Sequence, residues 1–92
     1  MITTVRRRQF DTRAVQWLGT NEAEVRQLCP GFTAIPEEDR EDDSDATGEG
    51  PFGPHGNRGA IYDGDYIVAW PGGGWRRYRP DEYAAEFELV AA

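Results

Sequence analysis

Tyr66-Ile67-Val68-Ala69-Trp70-Pro71-Gly72-Gly73-Gly74-Trp75-Arg76-Arg77-Tyr78-Arg79 reads as two strands joined by a glycine hairpin loop. β-Branched and aromatic residues fill Tyr66 to Trp70, and both faces of that strand are apolar. On the return, Trp75, Arg77 and Arg79 share one face while Arg76 and Tyr78 share the other. Ala60-Ile61-Tyr62 leads into the hairpin through a turn at Asp63-Gly64. Beyond it, Pro80 pre-sets a helical φ, and Asp81 and Glu82 suit the positive end of a short helix. Tyr83 and Phe87, at i and i+4, pin that helix to the sheet, and Glu86 to Val90 closes as an edge strand. The stretch from Gly59 to Val90 thus finishes one small α+β domain.

Working back towards the N-terminus, Arg8 to Trp17 reads as a strand, with Phe10, Thr12 and Ala14 alternating with Asp11 and Arg13. Val15 and Trp17 are apolar on the opposite face, which predicts a bulge or a sheet covered on both sides. Gly19-Thr20 ends the strand. Asn21 with Glu24 three residues on predicts an N-cap with a capping-box partner. Val25, Leu28 and Cys29 then form a narrow stripe on a helix from Asn21 to Cys29, stopped by Pro30-Gly31. Phe32 to Ile35 suggests a brief further strand. The sum is a twisted, mostly antiparallel sheet of four or five strands, one main helix and a short C-terminal helix, within a single domain over residues 1–92.

The net charge of −7 is local. Eight acids and one base lie between Glu37 and Glu49, whereas the other residues hold nine acids and nine arginines. Pro36 to Gly59 has Phe52 as its only large apolar residue, so it reads as a mobile acidic loop outside the core. One cysteine excludes an internal disulfide. Met1 to Arg8 lacks a signal-peptide apolar region, and Tyr66 to Trp70, the longest apolar run, is too short to span a bilayer. The expectation is a soluble cytoplasmic protein with no membrane partner, monomeric or weakly dimeric through an exposed strand edge.

Three stretches carry a family likeness: Thr12-Arg13-Ala14-Val15-Gln16-Trp17, Asp63-Gly64-Asp65-Tyr66-Ile67-Val68, and Arg79-Pro80-Asp81-Glu82-Tyr83 with Phe87-Glu88. The combination resembles a family of small proteins of actinobacterial phages and prophages, with an E-A-V-Q-W strand, a P-G-D-W/Y-I turn and a K-P-D-x-F-x-x-x-Y/F-E ending. The chain departs from that pattern at Arg13, Asp63 and Arg79, and the acidic loop lies outside it. The resemblance implies a phage or prophage origin and an α+β fold, and brings no activity with it.

The chemistry-bearing residues form no catalytic set, and no cofactor or metal is expected. His55 is the lone histidine, without a Cys or His partner. Cys29 sits on the apolar helix stripe and packs as a small hydrophobe. Glu41-Asp42-Asp43-Ser44-Asp45 lacks the order of a calcium loop. Two binding readings remain. Glu37, Glu38, Asp39, Glu41, Asp42, Asp43 and Asp45, with the exposed hairpin edge, would contact a host protein, the acids presenting phosphate-like charge as an inhibitor or anti-defence factor does. Alternatively, Tyr66, Trp75, Arg77 and Arg79 would form a platform for single-stranded nucleic acid. The balanced charge of the folded part weighs against that platform, and its arginines have Glu82, Glu86 and Glu88 as prospective partners. Paired carboxylates among Asp63, Asp65 and Asp81 are a third, enzymatic reading.

Overall fold

Ala14 and Val15 are consecutive, so in a strand they face opposite ways, yet both are buried. Such a strand needs cover on both sides, and the architecture supplies it. The computed structural model describes residues 1–7, 10–42 and 44–90. In chain order the elements are β1 (Ile2–Arg7), β2 (Phe10–Gln16), α1 (Glu22–Leu28), β3 (Thr33–Ala34), β4 (Gly48–Gly50) and β5 (Gly59–Ile61). They continue with β6 (Tyr66–Ala69), β7 (Trp75–Tyr78), α2 (Pro80–Glu86) and β8 (Glu88–Leu89). An antiparallel five-stranded sheet runs β7-β6-β2-β1-β8, and a smaller one runs β3-β4-β5. This is the expected α+β class, with a second sheet added.

On one face of the large sheet, Val15 and Ile67 pack with Trp17, Val25, Leu28, Cys29, Phe32 and Ile61, beneath α1 and the small sheet. On the other, Val5, Ala14, Val68 and Phe87 pack beneath α2, with Tyr78 and Tyr83 alongside. The apolar residues on both faces of β2 therefore reflect double cover. Each buried Val, Leu, Ile or Phe contributes roughly 1.5–3 kcal/mol. Trp17 ties the layers together: its ring meets Phe32 edge-on at 4.7 Å, and its indole N–H donates to Thr47 Oγ1 at 2.8 Å. That hydroxyl donates in turn to Asp63 Oδ1 at 2.6 Å.

Three expectations change. Of the expected Arg8 to Trp17 strand, β2 covers Phe10–Gln16, with Arg8 and Gln9 outside the described residues; a further strand, β1, precedes it, paired from Ile2↔Val15 to Arg7↔Phe10. Asn21 does not cap α1 with its side chain; Oδ1 accepts the Leu18 N–H, and Nδ2 donates to the Gln16 carbonyl and Glu24. The side chain closes the β2–α1 loop instead. Nor does the stretch from Pro36 to Gly59 lie wholly outside the core. β4 is the central strand of the small sheet, with Ala46, Gly48 and Gly50 buried. What it buries is backbone, covered by rings from other segments, so its composition conceals the role.

Among the described residues no helix is long and apolar enough to cross a membrane.

At Gly48, a Cβ would lie 2.9 Å from the Phe32 ring and 3.0 Å from Ile61 Cγ2. Both neighbours are fully buried, so neither can yield cheaply. Gly48→Ala is therefore expected to lower unfolding free energy by about 1–3 kcal/mol in urea titration, as overpacking does. An unchanged midpoint would mean that β4 does not pack as described.

Candidate functional site

Tyr62-Asp63-Gly64-Asp65 makes a tight turn, with the Asp65 N–H on the Tyr62 carbonyl at 3.0 Å and Gly64 at φ +92°. Glycine is required there because other residues rarely adopt that conformation. The Gly64 N–H donates to the Trp17 carbonyl at 2.7 Å and the Trp17 N–H to the Asp65 carbonyl at 2.8 Å, joining the turn to the end of β2. Inside the turn, the Asp65 side chain is 1% exposed. Its Oδ2 accepts the Tyr62 N–H and Arg77 Nη1, both at 3.1 Å. Arg79 Nε lies 3.9 Å from Oδ1, which accepts no hydrogen bond among the described residues. A buried carboxylate is tolerated only when paired and hydrogen-bonded, so this cluster fixes Arg77 and through it β7.

The arginine partners therefore differ from those expected. Arg77 and Arg79 turn to Asp65, whereas Glu82 accepts the Arg79 N–H at 2.9 Å and Glu86 pairs with Arg7 at 3.2 Å. Tyr66, Trp75, Arg77 and Arg79 do not share a face. Tyr66 is opposite Tyr78 in the ladder, so it points away from Trp75 and Arg77, and its ring stacks on Tyr83 at 3.7 Å. Trp75 faces the other way and donates its indole N–H to the Leu28 carbonyl at 2.8 Å. Asp63 and Asp65 serve different partners, Thr47 and Arg77 respectively. A depression of about 590 Å³ borders Asp45, Tyr62, Asp63 and Arg79, and Asp65 does not line it.

Glu37–Asp39 forms a single 3-10 turn, and Arg40 Nε reaches back to the Ile35 carbonyl at 3.1 Å. Glu37, Glu38, Asp39, Glu41, Asp42 and Asp45 are all exposed, while Asp43 lies outside the described residues. Glu49 is placed differently, on β4, where it pairs with Arg58 at 3.2 Å. Among the described residues no group of His, Cys, Asp or Glu is arranged to hold a metal ion.

A concavity of about 850 Å³ lies where the edges of the two sheets face each other. Trp70, Trp75, Arg76 and Arg77 form one wall; Phe52 and His55 belong to the other, with neighbouring Pro and Gly. None of its lining residues among those described is acidic. Trp70 N–H bonds the Gly74 carbonyl at 3.0 Å, and this sets the phase of the ladder. By alternation, Arg76 and Tyr78 exchange bonds with β6, and the N–H and C=O of Trp75 and Arg77 turn to the open edge. Arg76 is exposed; its guanidinium lies 3.7 Å from the centre of the Trp70 ring, and Phe10 meets that ring edge-on at 5.2 Å. His55 holds φ +58°, the only positive-φ non-glycine among the described residues. His55 is exposed, as a loop position outside the core implies, but nothing local in the sequence shows that residues 51–60 face the hairpin.

No protein-family model, curated protein or solved structure matches this chain.

Cys29 is fully buried at the end of α1, and burial pushes its thiol above the usual range. A raised pKa depletes the thiolate, the reactive form. Native protein at pH 8 is therefore expected to react with a disulfide reagent such as DTNB only as fast as it unfolds, with full reaction in urea. Prompt stoichiometric labelling of native protein would contradict this placement.

Proposed function

We propose that this chain is a non-enzymatic binding protein, of phage or prophage type, that takes an extended segment of a host protein along the open edge of β7. The carrying observation is that the outward N–H and C=O groups of Trp75 and Arg77 border a concavity of about 850 Å³. An extended peptide adds to such an edge through main-chain hydrogen bonds, and side-chain pockets supply selectivity. Two features favour one peptide strand over another sheet. β7 is only four residues long, roughly 13 Å of edge, and the Phe52–His55 wall stands across the opening. Side-chain anchors on Leu28 and Asp65 hold β7 in place before a ligand arrives, which reduces the ordering cost of binding. The exposed acids from Glu37 to Asp45 are a second contact in this reading, steering the protein towards a basic region of its host partner. Both surfaces suit encounter in the cytoplasm. The nucleic-acid alternative draws less support, because Tyr66, Trp70 and Trp75 are each engaged by protein groups and offer little free ring face to a base.

Selection of peptides from a random twelve-residue display library, followed by amide chemical-shift mapping of the winners, tests this reading. Winners are expected to perturb the Trp75 and Arg77 amides and the indole signals of Trp70 and Trp75. Absence of enrichment over a blank support, or shifts confined to the opposite end of the sheet at β8, would refute capture by this edge.

A further inference from the structure

The two faces of β7 present different chemistry to a strand laid against it, and the difference is specific enough to describe the occupant. Trp75 and Arg77 lie on the face shared with Ile67, whereas Arg76 and Tyr78 lie on the face shared with Val68. Arg77 is already committed to Asp65. Trp75 has its indole N–H on Leu28 and its ring against the core, so that face offers apolar surface, continued by Phe52 across the opening. Arg76 is different. Among the described residues it has no carboxylate within ion-pair distance, whereas Arg7, also near the Trp70 ring at 5.3 Å, pairs with Glu86. The Arg76 guanidinium lies 3.7 Å from the centre of the Trp70 ring, and a guanidinium with no carboxylate partner of its own favours a bidentate carboxylate.

We infer that the segment captured on β7 alternates acidic and apolar side chains, with a carboxylate against Arg76 and an apolar residue beside Trp75; this rests on β7 being the capture edge. Side chains of an added strand point alternately to the two faces, so both preferences are met by consecutive residues. A basic residue opposite Arg76 would meet like charge, and no acid lines the opening to compensate. The net charge of −7 repels an acidic peptide only over distances that salt screens, about 8 Å at physiological ionic strength. Contact with Arg76 lies inside that range.

The test uses the full chain at about 150 mM salt and four blocked octapeptides, with tryptophan fluorescence as readout. They are alternating Glu–Val, alternating Gln–Val, alternating Lys–Val, and an isomer with its Glu and Val residues in separate blocks. Alternating Glu–Val is expected to bind about tenfold or more tighter than the other three, the ratio that a charge-assisted hydrogen bond supplies. Arg76→Ala should remove that advantage, Arg76→Glu should transfer it to Lys–Val, and Arg76→Lys should retain part of it. Circular dichroism confirms the fold of each variant, Arg76 being exposed. Equal binding of Glu–Val and Lys–Val, equal binding of the block isomer, or an unchanged preference in Arg76→Glu overturns the inference. So does displacement of the Glu–Val peptide by oligothymidylate at lower concentration than by the peptide itself. If Gln–Val binds as tightly as Glu–Val and shifts the Trp75 and Arg77 amides, the charge assignment fails while edge capture stands. If none of the four binds, and display selection also yields no binder, edge capture fails with it.

Discussion

The Asp65 carboxylate lies inside the protein and is paired with Arg77 at 3.1 Å. Removing such a charge from water costs several kcal/mol unless partners replace the lost hydration. Here they come from three directions: the Tyr62 N–H within the turn, Arg77 from β7, and Arg79 more distantly at 3.9 Å. Backbone bonds between this turn and Trp17 attach the same unit to β2. Without Asp65, β7 would be an edge strand held by a single four-residue ladder and the Trp75 anchor. With it, a buried ion pair also ties that edge to the turn although one side has no strand neighbour, an arrangement that suits the proposed strand capture.

Trp17 plays the matching part between the sheets. Its indole reaches Thr47 beside β4, whose hydroxyl reaches Asp63 in the turn that also contains Asp65. The small sheet, the turn and the hairpin are therefore positioned relative to one another by two adjoining polar connections. The concavity between β7 and residues 51–60 is the space that this placement leaves. Exposed ion pairs such as Arg6–Asp11 and Arg58–Glu49 add little by comparison, since surface pairs contribute about 0–1 kcal/mol.

The hairpin, α2 and the closing edge strand were legible because their residues state their environment locally: β-branched runs, a glycine loop, and Pro followed by acids. β1 was not, because only Val5 of its six residues is buried, and Ile2 and Val5 lie three apart with Thr3 and Thr4 between them, which gives no period of two. β4 was hidden more deeply. Gly48-Glu49-Gly50 contains no apolar side chain, and its place under Phe32 depends on a ring supplied from outside the segment. The Asp65–Arg77 pair had a readable signal. Extending the hairpin register sets Asp65 opposite Arg79 and diagonal to Arg77, on one face. Reading the arginines against the acids that follow them in sequence missed the acid across the strand. The cleft had no such signal, because its two walls come from segments whose approach is fixed only by the tertiary fold.

A double-mutant cycle between Asp65 and Arg77, measured by urea unfolding of Asp65→Asn, Arg77→Gln and the double variant, most directly tests whether the buried pair anchors β7. The pair should couple by more than about 1 kcal/mol, because each partner left alone strands a polar group the other had satisfied. Additive effects, within about 0.3–0.5 kcal/mol, would show that the carboxylate does not hold the strand, and the account of a pre-positioned edge would fail.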